Sequence, residues 1–405
     1  AAEEAVCAQR GACVEALRTL VHHCGHGISL CHCLNMSEVI AGDGPMRLHV
    51  EECRFEDLAK HPWSAAVSVG RLGCGATGPY LDEVRVVRSE VFRCSLGIAA
   101  SSVQLLAEDN RLMDLMLAGV QLVDSRTLLS RNRVERCGGA GIAFSSGPAN
   151  SIAGGSVCEL CGNTVRHCDV GLRVSSSGAL RLRLLAAMDT FEGNGDAICT
   201  LGSSLAHMSD GLPLQEANDF GVVSVGPSAT AAQAVRCRAA SCTVEMTECN
   251  LLGSRRCGLR VGRATRIQLR GCAVMGNGRG VVVAARAAVD VQGCCFQDNI
   301  GWALRLEDRA LAASTAVAAD CGLRQGADGG SVVAGNVFAA AGRKGNIGRK
   351  RVRVDTWHEG STTVEGNLEA GSGTVVEPET KRQRQLERQE VDIAATQLAG
   401  LGLGD

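Results

Sequence analysis

The sequence predicts an all-β solenoid, a parallel β-helix wound from one chain, and three observations carry that prediction. A short template recurs along most of the chain, its apolar residues alternate with period two, and glycine and asparagine interrupt it too often for helices. The template is a small polar residue or Cys, any residue, Val or Phe, two residues, Cys or Asn, two residues, Gly, then Ile, Leu or Val. Its period is near 22, since successive starts at Cys249, Cys272 and Cys294 lie 23 and 22 residues apart.

The copies follow in order. Degenerate ones begin at Thr19 and Cys53. SEVFRCSLGIAA at 89–100 and NRVERCGGAGIAF at 132–144 match, with residues 103–125 expected as an irregular coil between them. NTVRHCDVGLRV at 163–174 matches, and DTFEGNGDAICT at 189–200 matches with Ala197 in place of the glycine. The interval 213–230 reads as an irregular coil flanked by loops. Copies resume at 249–261, 272–283 and 294–306, and a degenerate one begins at Asn336. Each copy carries short apolar-x-apolar segments such as Gly171-Leu172-Arg173-Val174, which read as brief strands bounded by turns. Stacking them at the spacing of paired strands, about 4.8 Å, turns matching positions into columns. Residues 1–340 form the solenoid in this reading, and 341–378 hold a basic segment and a last weak coil at 362–376. Residues 379–405 form a helical tail, a cap for one end; the first coil has no visible cap, so the partner expectation includes end-to-end self-association.

The columns bear on what resembles metal chemistry. Cys158 and Cys161 form a C-x-x-C followed by His167 and Cys168, but Cys168 shares its slot with Cys94, Cys137, Asn194, Asn277 and Asn299. Cys exchanging with Asn suits a small inward corner residue rather than an obligatory thiolate. The cluster His22, His23, Cys24, His26, Cys31, His32 and Cys33 is a second candidate, of which the repeat explains Cys24 alone. Neither has the paired C-x-x-C spacing of a strong zinc signal, so the expectation is no metal and no cofactor.

This template resembles the right-handed parallel β-helix repeat family, the pectate-lyase-like superfamily, over about residues 14–340. The resemblance implies a right-handed solenoid of about a dozen coils, with a short C-terminal helix added by the tail. It leaves function open, because the family contains polysaccharide lyases, hydrolases and epimerases as well as non-catalytic binding modules.

Composition narrows the classes. The 405 residues carry 41 basic and 43 acidic side chains, so net charge selects no partner, and only 3% are aromatic. No stretch has the eighteen or so uninterrupted apolar residues of a membrane span, and no signal peptide is visible. Twenty-one cysteines, an odd number, then suggest reduced thiols in a cytoplasmic setting. The basic run RKGNIGRKRVRV at 343–354 reads as a solvated loop and strand edge, and lacks the interleaved aromatics that nucleic-acid binding uses.

Two outward rows remain. Four residues before each repeat start stand Arg85, Leu128, Glu159, Leu185, Glu245, Gln268 and Asp290. Glu245 and Asp290 fall two coils apart, about 10 Å by strand spacing, and are the candidate catalytic pair of a carbohydrate-active enzyme. Arg173, Arg260 and Arg305 share the position after the Gly-apolar step and, with Gln268, are the candidate binding residues. The expectation placed first is a non-catalytic scaffold that binds a protein or glycan along an outer strand face. The alternative is a polysaccharide lyase or glycoside hydrolase type of enzyme.

Overall fold

In a computed structural model, the described residues are 4–8, 12–32, 46–58, 61, 64–71, 82–146, 156–176, 182–202, 242–262, 265–284 and 287–306. Short strands at 331–334, 337–339, 354–356, 362–365 and 368–369 complete them. They form three parallel sheets of twelve strands each, and successive strands of the chain visit the first, second and third sheet in turn. Coil 1 is β1 (Glu4–Ala8), β2 (Cys13–Leu17) and β3 (Leu20–His22); coil 12 is β34 (Val354–Thr356), β35 (Thr362–Glu365) and β36 (Leu368–Glu369). This is the parallel β-helix that the repeat predicts, with about the expected number of coils.

The alternation of the sequence becomes inside and outside. In β11 (Val103–Glu108), Val103, Leu105 and Ala107 are buried while Gln104, Leu106 and Glu108 lie outward. Residues 103–125 therefore make a regular coil, not an irregular one. Leu115 fills a corner slot that takes Cys or Asn in most other copies, which hides the repeat without disturbing the strands. Inward Val, Leu and Phe stack along the axis: Phe55, Val91, Leu112, Val134, Val165, Phe191, Leu251, Val274 and Phe296 form one column of the third sheet.

The glycine of the template is a matter of clearance. A Cβ on Gly171 would lie 2.4 Å from the carbonyl oxygen of Ala197 in the next coil, and one on Gly97 would lie 2.3 Å from that of Gly119. The corner between second and third sheets has two residues in every coil. In coils 1–10 the first of them has positive φ, and in coils 2–10 the second is buried. Inward corner residues build a hydrogen-bonded ladder. Ser89 N donates to Asn110 Oδ1 (2.9 Å), Asn110 N to Asn132 Oδ1 (3.0 Å), Asn132 N to Asn163 Oδ1 (2.9 Å) and Asn163 N to Asp189 Oδ1 (2.7 Å). Each rung satisfies an amide that the turn removes from the sheet.

The outward residue beside this ladder alternates in sign: Arg18, Glu52, Arg88, Asp109, Arg131. Arg18 pairs with Glu52 at 2.9 Å, Arg88 with Glu52 at 3.2 Å and Arg131 with Asp109 at 2.9 Å. A parallel series at the next corner runs Asp57, Arg93, Asp114, Arg136, with pairs Asp57–Arg93 at 2.7 Å and Asp114–Arg136 at 2.5 Å. Arginine hydrogen bonds hold the carboxyls of Glu52, Asp57, Asp109 and Asp114 below the ordinary carboxylate range. These pairs are exposed and individually weak; their regular spacing makes them a stripe.

The interval 213–230 lies outside the described residues, as does the tail 379–405. The second sheet passes directly from β20 (Leu182–Ala187) to β23 (Cys242–Thr247), so the described sheets hold no coil between Asp189 and Cys249. Among the described residues no helix is long and apolar enough to cross a membrane.

Candidate functional site

The second sheet gathers the first row as the sequence aligned it. Arg85, Leu106, Leu128, Glu159, Leu185, Glu245, Gln268 and Asp290 are successive register partners in one outward column. Within this row a leucine or glutamine always separates carboxylates. Glu245 and Asp290 thus flank Gln268 and do not meet: Glu245 pairs with Arg183 at 3.2 Å, and Asp290 accepts from Gln292 Nε2 at 2.9 Å. A shallow hollow of about 260 Å³ lies nearby, lined by Leu128, Glu159, Leu185 and Glu245. Its apolar floor and spaced acids offer contact area but no acid–base pair.

The first sheet gathers the second row. Arg173, Cys199, Arg260, Val282 and Arg305 are successive register partners, so the arginines recur at every second coil. Gln268 belongs to the other sheet and is not brought to them. Around Cys199 the sequence reading missed a tighter cluster. Asp196, in β22 (Asp196–Gly202), is register partner to Cys257, in β25 (Cys257–Val261), and the next partner is Arg279. The Asp196 side chain is only 4% exposed; Oδ2 lies 3.2 Å from Arg256 Nε, Oδ1 lies 3.7 Å from Arg260 Nη2, and Oδ1 accepts from Cys257 N at 3.1 Å. Arg256 also reaches Asp169 at 3.1 Å. Burial pushes the Cys199 thiol up to about 11, so it sits here as a neutral thiol between arginine rungs. Four arginines (173, 256, 260, 279) against two aspartates leave this face cationic. Aligning the residue before each template glycine would have revealed it, because that position reads Asp196, Cys257, Arg279 in consecutive coils.

The metal candidates do not converge. Cys158 faces the core and Cys161 the outside of the same strand. His22 and His23 are both exposed, their rings edge to face at 5.0 Å. The Cys24 thiol donates to the His22 carbonyl at 3.4 Å, and His26 Nδ1 accepts from Ala65 N at 3.4 Å. Cys31 and His32 lie in β4 (His26–His32), and Cys33 falls outside the described residues. Among the described residues no three His, Cys, Asp or Glu side chains are placed to hold a metal ion.

Twelve strands per sheet, all parallel and in register, decide the fold. The chain is a parallel β-helix protein. No protein-family model matches the chain, and no curated protein matches it. Among solved structures, this β-helix is similar to the periplasmic alginate epimerase AlgG, with 10% identity over 90% of this chain and 76% of that one and a TM-score of 0.46. It is also similar to the A-module of the Azotobacter vinelandii mannuronan C-5 epimerase AlgE4, with 11% identity over 94% and 91% and a TM-score of 0.40.

Proposed function

We propose that this β-helix binds an anionic glycan of the uronate class along the outer face of its first sheet, across coils 7 to 11. The observation that carries the reading is the recurrence of Arg173, Arg260 and Arg305 in one register column at every second coil. Two coil steps are about 10 Å, which is close to the reach of two sugar units in an extended 1,4-linked chain, so carboxylates on alternate sugars would meet successive guanidinium groups. Arginine suits this role because its planar fork pairs with a carboxylate through two hydrogen bonds. Arg256 and Arg279 add positive charge beside the row, and Asp169 and Asp196 hold Arg256 in place.

The test is binding of polyuronate and of neutral glycan oligomers to the full chain, followed by titration calorimetry at two salt concentrations. The expected result is uronate binding that weakens with salt and falls at least about tenfold, worth about 1.4 kcal/mol, in Arg260→Ala. Equal binding of neutral glycans, or an unchanged affinity in Arg260→Ala, overturns it.

A second reading, a uronate-modifying enzyme, is favoured by one feature of the same face: the nearly buried Asp196 carboxylate between two arginines. An arginine that neutralises a uronate carboxylate acidifies the adjacent C–H, and a fixed carboxylate could accept that proton. Turnover of a uronate polymer that disappears in Asp196→Asn while binding persists would select this reading over binding alone.

A further inference from the structure

The ladder position that carries Asn110, Asn132 and Asn163 in coils 4, 5 and 6 carries Cys249, Cys272 and Cys294 in coils 8, 9 and 10. All three cysteines are 1% exposed or less. Their backbones are stacked rung on rung: Ala273 N donates to Cys249 O at 2.9 Å, and Cys295 N donates to Cys272 O at 2.9 Å. The three side chains therefore point the same way, one coil step apart, and that step is about 4.8 Å.

This spacing separates two kinds of thiol chemistry. A disulfide needs its sulfurs at about 2.05 Å and its Cβ atoms at about 3.5–4.5 Å, which an in-register stack opposes. Two metal–thiolate bonds of about 2.3 Å laid end to end span about 4.6 Å, which is the coil step. Thiolates prefer soft cations such as Cu(I). We infer that the Cys249–Cys272–Cys294 stack binds a soft, two-coordinate cation of the Cu(I) class, held between sulfurs of successive coils with the sulfur–metal–sulfur axis along the solenoid.

The surroundings fit two ligands and no more. Leu251, Val274 and Phe296 line the adjoining core column, and among the described residues no third His, Cys, Asp or Glu donor joins the cysteines to complete a tetrahedral centre. Charge fits too. A monovalent cation that displaces one proton from a pair of thiols leaves one thiolate and one thiol, a neutral unit suited to an apolar core. Cys272, the middle rung, is a ligand in either pair, Cys249–Cys272 or Cys272–Cys294. The Cys249 and Cys294 thiols donate to the Thr247 and Gln292 carbonyls at 3.4 Å, and the Cys272 thiol to that of Arg270 at 3.5 Å, so all three sulfurs sit alike against their own turns. No electron moves in this step: the cation enters as Cu(I), and one proton leaves to solvent. Cys137 and Cys168 repeat the arrangement once, in coils 5 and 6 at the other inward corner.

The experiment titrates the reduced full chain with Cu(I), without oxygen, against a chromogenic Cu(I) chelator, and reads the coordination by X-ray absorption. The expected result is tight Cu(I) with two sulfur neighbours and the loss of at least one equivalent in Cys272→Asn, a residue this corner accepts in coils 4 to 6. Cys272→Ser is the second variant, since the same corner takes Ser89 in coil 3. Cys13→Ser, an exposed thiol outside the stacks, keeps the full stoichiometry. Wild-type protein that remains folded without binding Cu(I) overturns the inference. So does three- or four-coordinate metal, full stoichiometry in both Cys272 variants, or a disulfide between Cys249 and Cys272 in the folded chain.

Discussion

Replacing Asp189 by asparagine should stabilise this protein, and by an amount that depends on pH. Asp189 closes the ladder that begins at Ser89. Its Oδ1 accepts from Asn163 N at 2.7 Å and from Asn163 Nδ2 at 2.9 Å. Its Oδ2 is buried without a hydrogen-bond partner. In the three preceding rungs the corresponding atom is an amide nitrogen that donates to a carbonyl: Asn110 to Val86, Asn132 to Ala107 and Asn163 to Leu129. The next carbonyl in that column is Leu160, so the site calls for a donor and a carboxylate cannot supply one. Burial pushes the Asp189 carboxyl from its ordinary 3.8 up to about 6.

The sign follows by linkage. An acid whose folded pKa is raised binds its proton more tightly when folded, so its charge costs nothing below about pH 4. The cost grows between about pH 4 and 6 and is complete above. A shift of roughly two units corresponds to about 3 kcal/mol. Asp189→Asn removes that cost and adds the missing donor. Guanidinium unfolding at pH 5 and pH 7.5 should show the variant gaining about 1–3 kcal/mol at the higher pH and clearly less at the lower. Native-state hydrogen exchange at the Asn163 amide should report the same difference locally. A variant no more stable than wild type at pH 7.5, or a gain that does not change with pH, would refute this account of the ladder's end.

Other expectations follow from packing. Gly171→Ala should destabilise by about 1–3 kcal/mol, since its Cβ would press on the Ala197 carbonyl, and Gly171→Val, which adds bulk at the same point, should cost more; thermal melts compare them. Phe191→Ala, at a fully buried ring, should cost about 3–5 kcal/mol. Arg131→Ala removes exposed pairs to Glu108 and Asp109 and should barely move the melting temperature, an effect that 1 M salt erases if screening is the cause. Coil 1, whose β2 strand has no fully buried side chain, should exchange amide hydrogens faster than coils 4 to 10; uniform protection would contradict this. Elemental analysis of zinc-exposed protein should find less than one tightly held zinc per chain, because no tetrahedral ligand set converges among the described residues.

What could be read from the sequence was whatever repeats in residue type. The strands, the inward corners and both outward rows follow from one template, because a parallel stack converts equal sequence offsets into neighbours. Glu245 and Asp290 show the limit of that reading. Their offset was right, but whether two acids in one row act together depends on what stands between them, and Gln268 separates them. The alternating Arg18, Glu52, Arg88, Asp109, Arg131 stripe escaped because the template ignores the residue just before each start. That position demands positive φ, so glycine fills it at Gly162, Gly271 and Gly293, and the eye reads a turn rather than a charge series. Asp196 escaped for another reason: its column holds Ala, Leu and Val in coils 3 to 7, and only the run Asp196, Cys257, Arg279 before the template glycine marks it as polar.

The turn between second and third sheets has two residues in all twelve coils, whereas the passage from first to second sheet ranges from one residue after β10 (Leu96–Ser101) to thirty-nine after β22. One corner therefore works as a hinge pin of fixed gauge, and the opposite passage is a seam along which the chain admits new sequence without altering the pitch. Register survives the longest passage, because β23 still pairs in register with β20 and β26. An engineer wishing to graft a peptide or a reporter would open that seam, and natural variation in such a chain has the same free edge available, alongside the arginine-bearing face.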